Sequence, residues 1–432
     1  MKEFRDISGI VSRYMCSSCG ACYTACGFDA IRYRETIGGY FFPEIDYEAC
    51  THCGLCAEVC PGAGFGKGLG MEMPKDPFSG EIMSCMVGRA SDEKIFRNAQ
   101  SGGVVTALLN QLFLSGLIDA AVTTVMKTGV PPRGEVLLAE KPEDLFVSQK
   151  SKYTPVPVLK VLKEVEKRKL RIAFVGLSCH MHGLMNLMDL KPDLKELVRV
   201  KIGLVCEHIL TTSAIDYFGS KATTSPFEYF VFKDKNRSKY PGNPVITEAG
   251  GRQIQIQDSL RKRAKDFFTP LRCRLCFDKL NIFADLTAGD PHGLEGIDRI
   301  GGESLVFVRT DTGRRLLNLA MEEGSLEMRP VDCKSAVEGQ GIRRKKRNWA
   351  DSMQAWKDMG KPVPVYSFSF PFEQTSLKGR RQAGIKLRQS MKLDQVKSRE
   401  LLYVRADKKL RKDRLKKRIR SFMKNIIRRR DA

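Results

Sequence analysis

The chain has 432 residues, 42% of them hydrophobic and 28% charged, which predicts a globular fold of roughly two to four domains. No run approaches the ~18 consecutive apolar residues of a membrane span, and the charged first residues lack the apolar segment of a secretion signal. With 14 cysteines and no export signal, we predict a reducing compartment, the cytoplasm.

The formal charge of +23 is unevenly distributed along the chain. Residues 407–432 hold 13 Lys and Arg against 3 Asp, whereas the first 80 residues are close to balanced. This separation of charge is typical of an interaction tail rather than of a uniformly basic body.

Residues 16–60 carry two copies of one cysteine spacing, C-x2-C-x2-C-x3-C. This spacing wraps a loop around a [4Fe–4S] cluster and sends the fourth thiolate to the neighbouring cluster. A zinc site would show paired C-x2-C units, and two identical runs count against a disulfide scaffold. We therefore predict one cluster on Cys16, Cys19, Cys22 and Cys60, and a second on Cys50, Cys53, Cys56 and Cys26.

This segment resembles the bacterial-type two-cluster ferredoxin domain, apart from Gly27, which stands where that pattern usually has Pro. The Gly-rich stretch 62–70 that ends it lacks the G-x-x-x-x-G-K-[ST] pattern of a phosphate loop, so we predict a flexible linker. Since each such cluster holds one electron, the chain is expected to move electrons.

From residue 104 apolar side chains recur at helical spacing, so Ser101-Gly102-Gly103 is predicted to open a helix. Free N–H groups there can bind an anion, although an N-cap before a core helix explains the same residues more simply. Further on, strands predicted at 117–126, 171–176 and 198–205 alternate with helices at 158–168 and 184–188. This alternation predicts an α/β sheet with parallel pairing.

Four more cysteines lie near the ends of these elements. Cys179 and Cys206 follow two predicted strands, and Cys273 and Cys276 form a C-x2-C pair. Because neighbouring parallel strands end at one edge of a sheet, the four thiols can form one site. A structural zinc ion or plain buried thiols explain the same residues, and these alternatives stay open here. Similarly, Lys152 and Tyr153 are either phosphate- and ring-binding residues or a solvated lysine and a packed tyrosine.

Several segments together resemble the beta subunit of coenzyme F420-reducing hydrogenase and its relatives. These relatives are the F420H2 dehydrogenase input subunit, formate dehydrogenase beta chains and 7-hydroxymethyl chlorophyll a reductase. The resemblance covers roughly residues 84–345 in addition to the ferredoxin unit. The matching segments are QSGGVVTALL at 100–109, SKYTP at 151–155, FVGLSCHMHGL at 174–184, IGLVC at 202–206 and CRLCFD at 273–278, running into ADLTAGD at 284–290.

The resemblance implies a flavin, FAD or another, beside a third [4Fe–4S] cluster. It implies cluster ligands at Cys179, Cys206, Cys273 and Cys276, and flavin contacts at Gln100, Ser101, Gly102, Gly103, Lys152 and Tyr153. Residues 177–180 depart from the family, which has Thr-Pro before this cysteine and Gln after it. His180 and His292 flank the matching segments and are candidate catalytic proton donors.

The expected fold is α/β, with α+β character overall. It comprises a ferredoxin-like domain at 1–70, two parts of an F420-hydrogenase-beta-like domain at 71–165 and 166–345, and a basic, partly amphipathic helical tail at 346–432. The expected function is that of an iron–sulfur flavoprotein oxidoreductase acting on an organic substrate or coenzyme F420. A ferredoxin or a hydrogenase/dehydrogenase-type protein would be its electron partner. The alternative is a non-catalytic electron-relay subunit of a larger complex.

The basic tail shows apolar residues at helical spacing among Lys and Arg, which predicts an amphipathic helix. Such a helix suits the anionic inner face of a membrane, and docking on a protein partner is the alternative. The near absence of aromatic residues counts against single-stranded nucleic acid. The apolar positions are Leu415, Ile419, Phe422, Met423, Ile426 and Ile427.

Overall fold

The computed structural model describes residues 5–65, 74–371 and 373–430, with side chains up to residue 415. In the first half of the chain the α-helices are α1 (Ile7–Ser12), α2 (Ala21–Ala25), α3 (Leu55–Glu58), α4 (Glu93–Asn98), α5 (Val104–Leu114), α6 (Leu145–Ser148), α7 (Leu162–Arg168), α8 (Ser178–Leu190), α9 (Pro192–Leu197) and α10 (Ser213–Ser220). In the second half they are α11 (Lys235–Ser238), α12 (Asp258–Phe268), α13 (Leu271–Arg274), α14 (Asp311–Glu322), α15 (Cys333–Gly339), α16 (Ile342–Asp358), α17 (Leu377–Asp394) and α18 (Arg399–Arg430).

The strands form one large sheet and three small ones. They are β1 (Ile31–Glu35), β2 (Phe41–Ile45), β3 (Gly64–Phe65), β4 (Ser84–Ala90), β5 (Ala120–Lys127), β6 (Arg133–Ala139), β7 (Ile172–Gly176), β8 (Val198–Leu204), β9 (Phe227–Asp234), β10 (Asn243–Glu248), β11 (Gln253–Gln255), β12 (Leu286–Gly289), β13 (Ser304–Val308), β14 (Leu326–Pro330) and β15 (Val365–Tyr366).

The large sheet has eight strands in the order β14-β4-β13-β12-β8-β7-β5-β6. Its centre is parallel, since β12 pairs with β8, β8 with β7 and β7 with β5 in that sense. The remaining pairs are antiparallel. The mixed α/β architecture agrees with the sequence prediction. Each residue of β7 and of β13 is buried, as expected for strands covered on both faces.

Helices cover the two faces of this sheet. Leu108 and Leu112 of α5 and Leu317 of α14 belong to one apolar cluster, and Leu184 of α8 and Trp356 of α16 belong to another. The helix predicted at 158–168 is a 3-10 turn over Val158–Val161 followed by α7. The strand predicted at 117–126 begins later, at Ala120.

The ferredoxin-like unit packs directly against the sheet domain. The Leu159 amide donates to the Cys19 carbonyl (2.9 Å), and the Thr24 hydroxyl donates to the Leu159 carbonyl (2.6 Å). The prediction of a flexible linker at 62–70 is wrong for its first residues, because β3 pairs in parallel with β15. The remainder of that stretch, from residue 66, lies outside the described residues.

A second layer is formed by the sheet β11-β10-β9 and the C-terminal helices. Helix α17 reaches back to the ferredoxin-like unit, where the Tyr40 hydroxyl donates to the Ser390 carbonyl (3.3 Å). Helix α18 is anchored near its start by buried Leu402 and by Asp407, which accepts from the Tyr217 hydroxyl (2.8 Å). Among the described residues, no helix combines the length and apolarity needed to cross a membrane.

Candidate metal centres and cofactor site

The first cysteine group lies in the interior of the ferredoxin-like unit. Cys16, Cys19, Cys22 and Cys60 are all buried. Burial raises the pKa of the Cys22 thiol well above its usual value, and the nearby Cys16, Cys19 and Cys60 raise it further. Burial and then Cys19 raise the pKa of Cys60 to about 12. The structure therefore brings together the four residues that the spacing assigns to one cluster.

The second group lines a cavity nearer the surface. Cys26, Cys50, Cys53 and Cys56 surround it together with apolar side chains, among them Phe28 and Ile31. Cys53 is exposed, whereas the other three are partly buried. The four residues assigned to the second cluster thus also meet.

The two cysteine loops repeat one backbone conformation. The amide of Ser18 donates to Cys16 Sγ (3.3 Å), and the amide of His52 donates to Cys50 Sγ (3.4 Å). Both donors have φ of +57°, and each loop continues through a glycine of positive φ, Gly20 or Gly54, into its short helix. N–H groups directed at sulfur are typical of loops that stabilise thiolates bound to iron.

The third group forms at the carboxyl edge of the parallel strands. Cys179 lies at the start of α8 just after β7, Cys206 follows β8, and Cys273 of α13 and Cys276 just after that helix complete the group. The pKa of Cys179 is raised well above its usual value, mostly by burial and further by its neighbours Cys206, Cys273, Cys19 and Cys276. Burial and then Cys273 and Cys276 do the same for Cys206. The four thiols are neighbours, and Cys19 of the first group is close to them.

Asn281 holds this loop against the strand ends. Its Nδ2 donates to the Gly176 carbonyl at the end of β7 (2.8 Å) and to the Leu204 carbonyl at the end of β8 (3.5 Å). The Cys206 amide donates to the Lys279 carbonyl (2.9 Å). The loop that carries Cys273 and Cys276 is thereby fixed over the two strand-end cysteines.

Two buried cations accompany the cysteine groups. Arg272, directly before Cys273, is 7% exposed, and Lys345 is 6% exposed. The charge of Lys345 opposes the rise in pKa that burial imposes on Cys206 and Cys273. The sequence did not single out either residue. Lys345 belongs to the basic run RRKKR at 343–347, in which nothing indicates that one member is buried.

Each cysteine group offers four sulfur donors. Over residues 5–65, 74–371 and 373–430, no three His, Cys, Asp or Glu side chains stand close enough to hold one metal ion. Each group has the number of thiolates that a cubane cluster takes.

Three of the residues predicted to contact a flavin lie side by side. Gln100 Nε2 donates to the Tyr153 hydroxyl (3.5 Å), and its Oε1 accepts from the Ser151 amide (3.2 Å). The carbonyl of Ser101 accepts from Lys235 Nζ (2.7 Å). These contacts join the start of α5 to the loop at 151–153.

The other three predicted flavin contacts are Gly102, Gly103 and Lys152, and they are held by contacts within the protein. The Gly102 amide donates to Ser304 Oγ (3.1 Å), and a Cβ on Gly102 would clash with the Gly88 carbonyl oxygen. Gly103 caps α5 with φ of +79°. Lys152 Nζ donates to the Gln149 carbonyl (2.8 Å), and burial, then Lys150, lower its pKa to about 7.

Further cations, which the sequence did not single out, lie near Tyr153 and Ser101. Lys233 Nζ lies 5.5 Å and Arg261 Cζ 5.9 Å from the centre of the Tyr153 ring. Burial lowers the pKa of Lys235 to about 8. An aromatic ring among cations suits a ligand with both a ring system and phosphate groups, which is the chemistry of a flavin nucleotide. No motif in β9, α11 or α12 indicated these residues.

The candidate proton donors His180 and His292 occupy different environments at the same sheet edge. His180 is 6% exposed, its Nδ1 accepts from the Leu177 amide (3.3 Å), and burial lowers its pKa to about 4. The His292 side chain is 63% exposed and lies 4.0 Å from the Asp290 carboxylate. His180 is therefore neutral near pH 7, and His292 faces solvent.

The arrangement of cysteine groups defines an iron–sulfur electron-transfer protein, and comparison with known proteins agrees. A model described as 4Fe-4S dicluster domain matches residues 15–63. Models of the coenzyme F420 hydrogenase/dehydrogenase beta subunit match residues 85–163 (N-term) and 169–334 (C terminus). The chain belongs to the coenzyme F420 hydrogenase/dehydrogenase beta-subunit family, whose members include oxidoreductase subunits.

Similar proteins cover most of the chain. An uncharacterized protein of Methanocaldococcus jannaschii is 27% identical over 75% of this chain and 92% of its own. A subunit of the F(420)H(2) dehydrogenase of Methanosarcina mazei is 24% identical over 81% and 94%. In the solved F420-reducing [NiFe] hydrogenase complex from Methanosarcina barkeri, one chain shares the fold, with a TM-score of 0.51, 19% identity and coverage of 67% of this chain and 98% of that one.

Proposed function

We propose that this protein is an iron–sulfur flavoprotein oxidoreductase that passes electrons among three [4Fe–4S] clusters and a flavin. The observation that carries the proposal is the meeting of three groups of four cysteines, with Cys19 of the first beside Cys179 of the third. Such proximity suits a path for single electrons from the surface cavity at Cys53 to the sheet edge.

The proposed cluster ligands are the members of the three cysteine groups. Cys16, Cys19, Cys22 and Cys60 would hold one cluster; Cys26, Cys50, Cys53 and Cys56 a second; Cys179, Cys206, Cys273 and Cys276 a third. When bound, a flavin exchanges two electrons with a substrate and single electrons with clusters. Its proposed contacts are Gln100, Ser101, Gly102, Gly103, Lys152 and Tyr153. We add to the proposal Lys233 and Arg261, which lie near Tyr153, and Lys235, which donates to the Ser101 carbonyl.

The substrate in this proposal is coenzyme F420 or another organic molecule. Support for F420 comes from the names of relatives, which include a component of F(420)H(2) dehydrogenase and a coenzyme F420-dependent sulfite reductase. The chain covers 48% of the latter protein, so the sulfite chemistry of that relative does not transfer with the match. His292, which is exposed beside Asp290, is the proposed proton donor, since it can take up a proton from solvent after each transfer.

The partner in this proposal is an electron-carrying protein that meets the surface near Cys53. We further propose that the basic end of α18 binds an anionic membrane surface, which would hold the protein at the inner face. Leu415, the last side chain described in that helix, is 59% exposed, as an apolar contact residue for lipid should be.

Anaerobic purification, with iron, sulfide and flavin measured on one sample, tests the proposal. About twelve irons and one flavin per chain are expected, since each cubane cluster holds four irons. Reduction of F420 or another acceptor by dithionite-reduced protein would then distinguish an enzyme from a relay subunit. About eight irons without flavin would overturn the proposal and leave a two-cluster relay protein.

A further inference from the structure

One arginine connects the first and the third cysteine groups. Arg272 is the residue before Cys273, a ligand proposed for the third cluster. Its Nη2 donates to the carbonyl of Pro61 (3.1 Å), the residue after Cys60, a ligand proposed for the first cluster. The side chain is 7% exposed, so the guanidinium lies inside the protein between the two groups.

The charge of Arg272 acts on thiols of both groups. Burial raises the pKa of Cys19, of Cys60 and of Cys273, and Arg272 opposes the rise in each case. Burial alone would lower the pKa of Arg272, but Tyr366, Cys276 and Cys179 raise it above its usual value. Arg272 is therefore a permanent buried cation that favours negative charge on either side of it.

One donor of this guanidinium is poorly satisfied within the described part of the chain. Arg272 Nη1 is fully buried and makes no hydrogen bond of ordinary length and angle among the described residues, although the Tyr366 hydroxyl lies close enough to raise the pKa of Arg272. An unpaired buried donor on a charged group is costly, and native structures seldom contain one. A cluster bound at Cys273, the next residue in the chain, would bring sulfur acceptors to this part of the protein.

We propose that Arg272 donates a hydrogen bond from Nη1 to the sulfur of a [4Fe–4S] cluster and that its charge raises the reduction potentials of the first and third clusters together. The inference rests on the proposed function, because it requires both clusters. Adding an electron makes a cluster more negative, so a fixed cation beside it favours the reduced form. Arg272 would thus shift the potentials of the two clusters in the same direction, without taking part in the transfer of electrons itself.

The chain offers a matched control in Lys345. This residue is also buried and cationic, but among the cysteines its charge acts on Cys206 and Cys273 of the third group. Removal of Lys345 should lower the potential of the third cluster only. Removal of Arg272 should lower the potentials of both.

The test is a redox titration followed by electron paramagnetic resonance on anaerobically purified wild type, R272Q, R272K and K345Q, with iron counted on each sample. The variant C206A, which loses a proposed third-cluster ligand, assigns the signal of that cluster. We expect lower potentials for two clusters in R272Q and one lowered potential in K345Q. In R272K the recovery should be only partial, because the charge is retained but the guanidinium hydrogen bond is lost.

Three outcomes distinguish a failure of the proposed role of Arg272 from a failure of the proposed function. Twelve irons per chain with both potentials unchanged in R272Q would overturn the role of Arg272 and leave the proposed function intact. A shift of the third cluster alone, equal to that in K345Q, would overturn the bridging role. Wild-type protein with about eight irons would overturn the proposed function itself. If R272Q loses iron, a lowered potential in R272K relative to wild type would still support the hydrogen bond, and an unchanged one would contradict it.

Discussion

The sulfur of Cys19 lies against Gly183: a Cβ on Gly183 would stand 3.2 Å from Cys19 Sγ and 2.7 Å from Leu159 Cδ1. Gly183 sits within α8, one helical turn after Cys179, so this contact brings the ferredoxin-like unit directly onto the helix that carries a cysteine of the third group. The close approach of the two parts of the chain depends on the missing side chain.

Gly183→Ala is therefore expected to destabilise the protein by about 1–3 kcal/mol, the usual cost of overpacking. The sign of this change in unfolding free energy is informative, because glycine-to-alanine changes inside exposed helices usually stabilise a protein by about 1 kcal/mol. Thermal unfolding of the iron-loaded protein measures the effect. Gly250→Ala is the control, since nothing lies within 4 Å of a Cβ there, and a midpoint for Gly183→Ala at or above that of the control would contradict the close contact.

Arg133 joins the ferredoxin-like unit to the sheet domain through charge. Its Nη1 and Nη2 donate to the Asp216 carboxylate (2.8 and 3.0 Å), and its Nε donates to Glu35 (3.0 Å). The Asp216 and Arg133 side chains are only 8% and 14% exposed. Arg133→Met would remove the cation that bridges the two carboxylates, leaving Asp216 with the more distant Arg399 (3.9 Å) and Glu35 with the Thr212 hydroxyl, and a loss of about 3 kcal/mol in unfolding free energy is expected.

Chemical denaturation compares Arg133→Met with Arg34→Met. The pair Arg34–Glu44 is exposed, with side-chain exposures of 65% and 51%, so its loss should change stability by less than about 1 kcal/mol. Equal effects of the two substitutions would show that the Arg133 network does not hold the two parts together.

Lys152 should make stability depend on pH in the alkaline range. The folded chain releases its proton near pH 7, because burial lowers the pKa of Lys152 to about 7, whereas an unfolded lysine keeps its proton up to about pH 10.4. Between these values the unfolded chain binds more protons, so the unfolding free energy rises with pH. From pH 7 to pH 9 the gain from this group is about 2 kcal/mol.

Unfolding of wild type and Lys152→Met at both pH values isolates this contribution. The stability of wild type relative to the variant should increase from pH 7 to pH 9. A constant difference between the two proteins would show that Lys152 is protonated in the folded protein throughout. Lys163→Met is a suitable control, because Lys163 pairs with Asp29, whose side chain is 79% exposed.

Cys206→Ala and Cys85→Ala should differ in iron content. Cys206 belongs to the third group, whereas Cys85 is buried within β4 beside Cys333, away from the three groups. We expect about four fewer irons per chain in Cys206→Ala and no loss in Cys85→Ala. Iron and sulfide analysis of both proteins decides this, and equal iron in the two variants would contradict a third cluster.

Deletion of residues 416–432 should abolish binding to anionic vesicles. The deleted segment holds eight Lys and Arg, each worth roughly 1 kcal/mol near an anionic surface. Asp407, which anchors α18 through Tyr217, is retained, so the folded body should be unaffected. Co-sedimentation with phosphatidylserine vesicles measures the effect, with phosphatidylcholine vesicles as the control. Unchanged binding by the shortened protein would contradict membrane attachment through this segment.

The cysteine spacing was sufficient to predict which eight thiols meet in the ferredoxin-like unit, because those ligands are close in sequence. The parallel centre of the sheet was likewise predictable from alternating strands and helices. The antiparallel strands β13, β4 and β14 were not, since their pairing joins residues more than 200 positions apart. Arg272, Lys345 and Asn281 carry no motif. Only the packed structure shows that these polar residues are buried at the strand ends.

The contact between Tyr40 and Ser390 has a consequence for the order of synthesis. The ferredoxin-like unit leaves the ribosome first, yet Arg272 and helix α17, which complete its inner surface, follow on the order of half a minute later at about 10 residues per second. Nascent chains carry the first cysteine loops with one side still open during that interval. Iron that reaches the chain during this interval would find the first cluster site incompletely enclosed. Insertion of the first cluster is therefore expected to finish only after the C-terminal helices have docked.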